Sequence, residues 1–281
     1  MEATQDASLL ESMLDMLRAP RGISSIAVFS AVLSVPVGGV VHQQAPGLPF
    51  APGERITYRV TAKGMGTIGH ATMSVDGPVD VRGTQTLVLR SKTEGGFGPF
   101  RGSQTSASWF DPVARRSLRF YERERHFLST HITKVEIYPD KGTWVADDGT
   151  SGETLTNESL DELSFIYFLR TLPVTPHADY QFNRHFDATR NPVRIRVTQG
   201  DTITTDLGRF STTLMEMHVR DPHRYKGEGV IKVYLSNDKC RVPVRIDSDV
   251  PVVGAFVLNI ESYTGGVTGC DPQLDAHPPS R

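Results

Sequence analysis

The sequence predicts a mainly β protein in which a curved antiparallel sheet, an incomplete β-barrel, wraps around one α-helix. Three observations support this fold class: short runs alternate apolar and polar residues, turn-forming residues separate these runs, and one segment has helical spacing instead. Hydrophobic residues make up 38% and charged residues 22% of the 281 positions, as in globular proteins. The formal net charge of −2 provides no general attraction for nucleic acid.

The long apolar run at residues 23–41 indicates an export signal. Arg18 and Arg21 precede it, and its uninterrupted part is shorter than the roughly twenty apolar residues that span a membrane. No cysteine follows the run, which argues against a lipid-anchored lipoprotein. We therefore predict a periplasmic protein that is exported by an N-terminal signal.

The segment before this run does not suit a signal peptide, because residues 1–15 are acidic and have a helical pattern. A start at Met16 would give an ordinary signal sequence, and the alternative is a genuine N-terminal helix leading into an uncleaved anchor. We accordingly divide the chain into residues 1–45 (extension plus signal or anchor), residues 46–268 (a single β-rich domain) and residues 269–281 (a disordered tail).

The β-rich domain is built from strands whose apolar residues occupy every second position, so that one face is buried and the other meets solvent. Such runs contain Ile56, Tyr58 and Val60; Val193, Ile195 and Val197; Ile231, Val233 and Leu235; and Val242, Val244 and Ile246. Turn-forming residues occur at positions 76–78, 82–83, 139–142, 147–149 and 237–239. Trp144 lies between two of these turns and is predicted to belong to a hairpin.

One segment, residues 159–172, has apolar residues at helical spacing. Ser159 and Glu162 fit a capping box at its start, while Arg170 favours its end and Pro173 stops it. Apolar side chains on several sides of this helix predict that it is largely buried, with the sheet curled around it.

Several segments together resemble a bacterial family known as domain of unknown function 3108. These segments are residues 52–58, 69–71, 161–170, 207–210, 234–244 and the strand that begins at Gly254. The resemblance implies a periplasmic or envelope location and a curved, incomplete antiparallel barrel similar to the carriers that ferry lipoproteins across the periplasm. It implies no reaction, and fold similarity to a lipid carrier is only an indication of function.

Residues 64–69 match the pattern G-x-G-x-x-G, which in dinucleotide-binding proteins connects a strand to a helix. Here residues 70–75 alternate like a strand, so no βαβ unit is present to receive a nucleotide. We predict a glycine-rich hairpin or bulge and no nucleotide.

The polar residues do not form a recognisable catalytic or metal site. His126 and His131 lack the spacing of a metal-binding pair, and no G-x-S-x-G motif occurs, although a triad assembled from distant residues remains open. Glu122 and Glu124 share a strand face beside arginines, which favours a solvated sheet edge over a buried acid–base pair. We therefore predict no catalytic residue, no metal and no cofactor.

Cys240 and Cys270 are the two cysteines of the chain. In an exported protein they could pair and close a loop of about thirty residues, which would stabilise the fold by roughly 3–4 kcal/mol. The alternative is two unrelated thiols, and both interpretations stay open.

The candidate ligand-binding residues are Phe97, Phe100, Trp109 and Tyr167. The two phenylalanines belong to a glycine-rich segment, residues 94–100, that could cap the open end of a curved sheet and meet an apolar ligand. The alternative is that they simply plug the barrel end.

Three functions are compatible with these observations. The first is a non-catalytic envelope protein that binds a lipid or lipidated partner in its concave sheet, and it fails if the helix and core side chains fill that space. The second is an assembly factor that binds an envelope protein through its sheet surface, without a small ligand. The third is an unrecognised hydrolase, whose sign would be a nucleophile hydrogen-bonded to a base in a pocket. The sequence does not indicate an oligomeric state.

Overall fold

Sixteen β-strands and one α-helix account for the regular structure of the described residues, apart from two short 3-10 turns. The computed structural model describes residues 47–62, 64–97, 100–126, 128–222, 227–250, 254–270 and 272. The predicted signal segment, residues 1–45, lies outside them.

The strands are numbered in chain order. They are β1 (Arg55–Ala62), β2 (Gly66–Val81), β3 (Thr84–Phe97), β4 (Phe100–Asp111), β5 (Arg116–Arg125), β6 (Thr130–Tyr138), β7 (Thr143–Ala146), β8 (Ser151–Glu153), β9 (Asp179–Phe182), β10 (Val193–Gln199), β11 (Ile203–Thr205), β12 (Gly208–Phe210), β13 (Thr212–Arg220), β14 (Glu228–Ser236), β15 (Pro243–Val250) and β16 (Gly254–Thr264). The helix, α1 (Glu162–Leu169), lies between β8 and β9 in the chain.

Fourteen strands form one antiparallel sheet in the order β8-β7-β6-β5-β4-β3-β2-β1-β16-β15-β14-β13-β10-β9. Most neighbours in space are neighbours in the chain, and the pairing of β16 with β1 joins the two halves. The sheet ends at β8 on one side and β9 on the other, so it is not closed into a barrel, while β11 and β12 form a separate hairpin. The predicted fold class, a mainly β protein with one curved antiparallel sheet and one helix, is confirmed.

The segment before α1 bonds to the start of β5 and to the chain just after β9. Leu160 donates its backbone N–H to Arg184 O and accepts from Phe186 N, and Ser117 N donates to Ser159 O. These bonds satisfy backbone groups that the sheet pairing does not use. They also fix the position at which the helix begins.

The alternation of residues along the strands matches the prediction. In β10, Val193, Ile195 and Val197 are buried, whereas Arg194 and Arg196 are exposed. Trp144 lies in β7, which pairs with both β6 and β8, so its predicted hairpin is confirmed.

The G-x-G-x-x-G segment forms the β1–β2 hairpin, as predicted. Gly64 and Gly66 have positive φ angles of 80° and 71°, which glycine adopts readily. The third glycine, Gly69, pairs with Gly95 of β3, where a Cβ atom would lie only 2.0 Å from the carbonyl oxygen of Glu94. Turn geometry and close strand approach therefore explain the motif.

Two local predictions were wrong in detail. Helix α1 begins later than expected because Asp161, rather than Ser159, is the N-cap, and its capping box is completed by Ser164. Residues 76–78 do not end a strand, since they form an irregularity within β2 where its pairing with β3 shifts register.

Candidate functional site

Helix α1 packs against the inner face of the sheet. Leu163, Phe165, Phe168 and Leu169 are buried in the same hydrophobic cluster as side chains from both halves of the sheet. Tyr167 is also fully buried, with its hydroxyl donating to Ser74 O at 3.3 Å. Tyr167, one of the predicted ligand-binding residues, is therefore a core residue that a ligand cannot reach in this structure.

A buried ion pair fixes the end of the helix. The side chains of Arg170 and Glu54 are 1% and 0% exposed, and they join through two hydrogen bonds, Nη1 to Oε1 at 2.6 Å and Nη2 to Oε2 at 2.8 Å. Arg170 Nη2 also donates to the carbonyl oxygens of Pro49 and Cys240 at 3.0 and 2.9 Å. One guanidinium thus joins the segment before β1, the helix and the β14–β15 connection.

The surroundings of Arg170 keep it charged. Burial alone would lower the pKa of this guanidinium, but the Glu54 carboxylate raises it above its ordinary value. The rings of Phe50 and Tyr167 lie 5.2 and 5.7 Å from the guanidinium carbon, close enough for cation–π attraction. Because Glu54 and two backbone carbonyl groups hold both terminal nitrogens of Arg170 inside the core, we assign the cluster a structural role.

A buried polar cluster surrounds the other end of the helix. Asp161 accepts hydrogen bonds from the Ser108 hydroxyl and from Ser164 N, and Ser117 donates its hydroxyl to Ser164 Oγ at 2.8 Å. Burial raises the pKa of Asp161 to about 6, against the opposing effect of these hydrogen bonds. Because all four side chains are buried, the cluster positions the helix start and offers no serine to a substrate.

The histidines do not reveal a hydrolase. Buried His185 accepts from Asp187 N at its Nδ1 atom, and its Nε2 atom lies 3.6 Å from the Glu162 carboxylate. Among the described residues, no hydroxyl or thiol group forms a hydrogen bond with the His185 ring. Within that part of the chain, no group of three His, Cys, Asp or Glu side chains could hold a metal ion. His126 lies in the β5–β6 connection and His131 in β6.

Cys240 and Cys270 form a disulfide, with Cα atoms 5.2 Å apart. Both residues are buried, and Pro272 is buried as well. Described structure therefore continues past residue 268, the predicted end of the domain. The bond attaches the segment after β16 to the same β14–β15 connection that Arg170 contacts.

The inner face of β4 and β5 is polar next to the core. Glu122 is buried, and it accepts hydrogen bonds from Gln104 Nε2 at 2.8 Å and Ser106 Oγ at 3.4 Å. Strand β5 lies between β4 and β6, so the prediction that Glu122 and Glu124 occupy a solvated edge was wrong. Hydroxyl, amide and carboxylate groups make this part of the inner face unsuitable for an acyl chain.

The candidate aromatic residues do not converge on one site. Phe97 and Phe100 are not loop residues: they end β3 and begin β4, where they pair directly with each other. Trp109 is half-buried and faces the other side of β4 from Ser108, the residue that contacts the helix start. The guanidinium of Arg119 lies 5.4 Å from the Trp109 ring.

Three neighbouring hairpins end on the same edge of the sheet. We call the described residues at these ends (Met65, Phe97 with Phe100, and Leu128) the hairpin-tip edge. Met65 in the first connection is 56% exposed and Leu128 in the third is 70% exposed, while Phe97 and Phe100 end the hairpin between them. Because neighbouring strands lie about 4.8 Å apart, successive tips are separated by roughly 10 Å. Sequence reasoning did not identify Met65 or Leu128, although large apolar residues in turn segments are a usable signal.

One solved structure supports the fold. A β-barrel-like protein of domain family DUF1849 from Brucella abortus has a TM-score of 0.50 and 10% identity, and the match covers 77% of this chain and 98% of that chain. A Bacteroides fragilis protein with a YmcC-like fold has 13% identity over the same shares, but its TM-score of 0.29 supports no argument.

Sequence comparison identifies a family and no individual relative. The model of the family described as "Protein of unknown function (DUF3108)" matches residues 57–261. No curated protein matches the chain significantly. Among the described residues, no helix has the length and apolar character needed to cross a membrane.

Proposed function

Since this chain belongs to the DUF3108 family, we propose that it is an exported, non-catalytic envelope protein that docks its hairpin-tip edge on the surface of a lipid bilayer. The observation that carries the proposal is the exposure of Met65 (56%) and Leu128 (70%) on the two outer tips of three adjacent hairpins. Because Met65 and Leu128 lie on the same edge of the sheet, about 20 Å apart by the strand spacing, both can reach a flat lipid surface at once.

Burial of these side chains in lipid would provide the attraction. Transfer of a largely exposed Leu or Met side chain from water contributes about 1–2 kcal/mol. Two such residues together contribute roughly 2–4 kcal/mol, which is reversible binding and not permanent anchoring. Arg101 and Arg125 are exposed beside the β3–β4 and β5–β6 tips, where they can attract anionic headgroups.

We place the apolar partner at the edge of the sheet and not on its inner face. Helix α1 occupies the inner face, Tyr167 is inaccessible, and the inner face near Glu122 is polar. The hypothesis that a lipid or lipidated partner binds in the concave sheet fails under these conditions, because the helix and core side chains fill that space. The edge retains the exposed apolar groups that a lipid partner requires.

Export is supported by two independent features. The apolar run at residues 23–41 follows Arg18 and Arg21, as in secretory signals. The Cys240–Cys270 disulfide suits an oxidising compartment such as the periplasm, where such bonds persist.

Co-sedimentation with vesicles of phosphatidylethanolamine and phosphatidylglycerol tests the proposal. The double variant Met65→Ser/Leu128→Ser is expected to bind vesicles at least about 30-fold more weakly than the wild type, because it loses the apolar contribution of both side chains. The matched control is Val113→Ser, since Val113 is 85% exposed in the β4–β5 connection at the opposite edge of the sheet. Equal binding of the double variant and the wild type would contradict the proposal, as would an equal loss in the control.

The second candidate function, an assembly factor that binds a protein, predicts a different result. The protein would then fail to bind vesicles, while purification from the envelope would yield a stoichiometric protein partner. That pair of results would replace the lipid-docking proposal.

A further inference from the structure

Arg241 lies in the β14–β15 connection, where the backbone holds it in an unusual conformation. Its φ angle is 46°, in the left-handed region. Asp238 Oδ1 accepts from the backbone N–H groups of Cys240 and Arg241 at 2.8 and 3.2 Å, and from the Ser236 hydroxyl at 3.1 Å. The loop is therefore fixed by its own hydrogen bonds, and Asp238 Oδ1 is engaged with them.

Two donor atoms of this guanidinium have no partner. Arg241 Nη1 donates to Leu172 O at 2.5 Å, but Nε and Nη2 are buried without a hydrogen bond. No carboxylate forms a salt bridge with Arg241 in the described part of the chain, whereas neighbouring Arg170 is paired with Glu54. Burial, together with the charge of Arg170, lowers the pKa of Arg241, as expected for a cation without a counter-ion.

The two unpartnered atoms have the arrangement that recognises an anion. Nε and Nη2 lie side by side in the plane of the guanidinium, and this pair of N–H groups matches the two oxygens of a carboxylate or phosphate. An unpaired buried donor is costly, so a ligand that supplied two acceptors here would be favoured.

Arg241 also lines a groove of about 480 Å³ at the ends of β10, β13 and β14. Its apolar lining residues include Val174 and Pro176. Its polar lining residues include Asp238 as well as Thr213 and Ser236, whose hydroxyls donate to Asn237 Oδ1 and to Asp238 Oδ1. The groove therefore combines apolar surface with one cation whose hydrogen-bonding capacity is not used.

We propose that this groove binds a small amphiphile with a carboxylate head, which pairs with Nε and Nη2 of Arg241 while its apolar part lies along Val174 and Pro176. Binding requires the half-buried Arg241 side chain to rotate so that its buried Nε and Nη2 atoms face the groove. This site is at the opposite edge of the sheet from the hairpin tips and does not depend on lipid docking. An amphiphile with a carboxylate head is favoured over inorganic phosphate because four of the twelve lining residues are apolar and offer contact to a hydrocarbon tail but not to phosphate.

Isothermal titration calorimetry with octanoate tests this site, and octanol serves as the neutral probe of the same length. Octanoate is expected to bind saturably to the full chain, and octanol is expected to bind at least tenfold more weakly. Arg241→Met should weaken octanoate binding about tenfold or more, because charge-assisted hydrogen bonds are lost. Arg90→Met is the matched control, since Arg90 is exposed and pairs with Asp76 away from the groove.

A second variant keeps the test valid if Arg241→Met unfolds. Val174 is 44% exposed at the groove, so Val174→Glu leaves the core intact and places a like charge beside the carboxylate. It should also weaken octanoate binding about tenfold. The proposal is overturned if octanoate does not bind saturably, if Val174→Glu and a folded Arg241→Met bind it as tightly as the wild type, or if inorganic phosphate binds and octanoate does not.

Discussion

Replacing Glu54 with glutamine tests the role of the buried ion pair in stability. Glu54→Gln preserves the shape of the side chain but removes the negative charge, so Arg170 keeps its charge in a site where it is 1% exposed. Both contacts, at 2.6 and 2.8 Å, lose their negatively charged acceptor, and only one of the two acceptor oxygens remains. The amide also places N–H donors against a guanidinium, which has no acceptor.

The expected cost is large for one substitution. An unpaired charge left by breaking a buried pair destabilises proteins by about 3–5 kcal/mol, and domains of this kind are stable by only about 5–15 kcal/mol. The double variant Glu54→Gln/Arg170→Met should recover part of this loss because no buried charge remains. It does not recover all of it, since the carbonyl oxygens of Pro49 and Cys240 lose their donor.

Urea denaturation followed by circular dichroism measures these differences. The wild type, both single variants and the double variant form a thermodynamic cycle that isolates the coupling between the two residues. A loss below about 1 kcal/mol for Glu54→Gln, with no coupling in the cycle, would refute the reasoning. Arg90→Met, which breaks the exposed pair with Asp76, is the control and should cost at most about 1 kcal/mol.

Three further predictions concern the helix start, the disulfide and strand packing. The native pKa of Asp161 is raised from 3.8 to about 6, so the native state binds more protons than the unfolded state between these values, and stability falls by about 3 kcal/mol as the pH rises through them. Asp161→Asn retains an N-cap and should abolish this dependence. If the free energy of unfolding of the variant falls with pH as steeply as that of the wild type, the assignment to Asp161 is contradicted. The double variant Cys240→Ser/Cys270→Ser opens a loop with a sequence separation of 30 and should be roughly 3–4 kcal/mol less stable than the oxidised wild type. Thermal unfolding measures this difference, and the reduced wild type should unfold like the double variant. Gly69→Ala places a Cβ atom 2.0 Å from a carbonyl oxygen of β3 and should cost about 1–3 kcal/mol in denaturant unfolding. Gly83→Ala, at a φ of 83° but with no atom within 4 Å of the added Cβ, measures the cost of a positive φ angle alone, so an equal loss in both variants would contradict the steric explanation.

Much of the fold could be predicted because it depends on local patterns. Alternation along β1 and β10 and the turn at residues 82–83 follow from residue type and spacing over a few positions. The helix was placed by the same logic, but its start was not. Asp161 caps the helix through Ser164, three residues on, and Ser108, 53 residues away, adds a buried hydrogen bond that no local pattern contains.

The site residues were harder to predict because they depend on pairing across the chain. Arg170 suited the end of a helix, but its partner Glu54 lies 116 residues away. Glu122 looked like an edge residue because the order of strands, which places β5 inside the sheet, is not visible in one strand. The unpartnered donors of Arg241 result from packing against Leu172 and have no sequence pattern of their own.

Environment-sensitive fluorescence at position 128 tests the central claim most directly. Leu128→Cys, labelled with a nitrobenzoxadiazole group, places the probe on the β5–β6 tip, while Val113→Cys places it at the opposite edge on a residue that is 85% exposed. On addition of phosphatidylethanolamine and phosphatidylglycerol vesicles, the account predicts a blue shift and higher intensity at position 128 and no change at position 113. Unchanged emission at position 128, or equal changes at both positions, would contradict docking through the hairpin-tip edge.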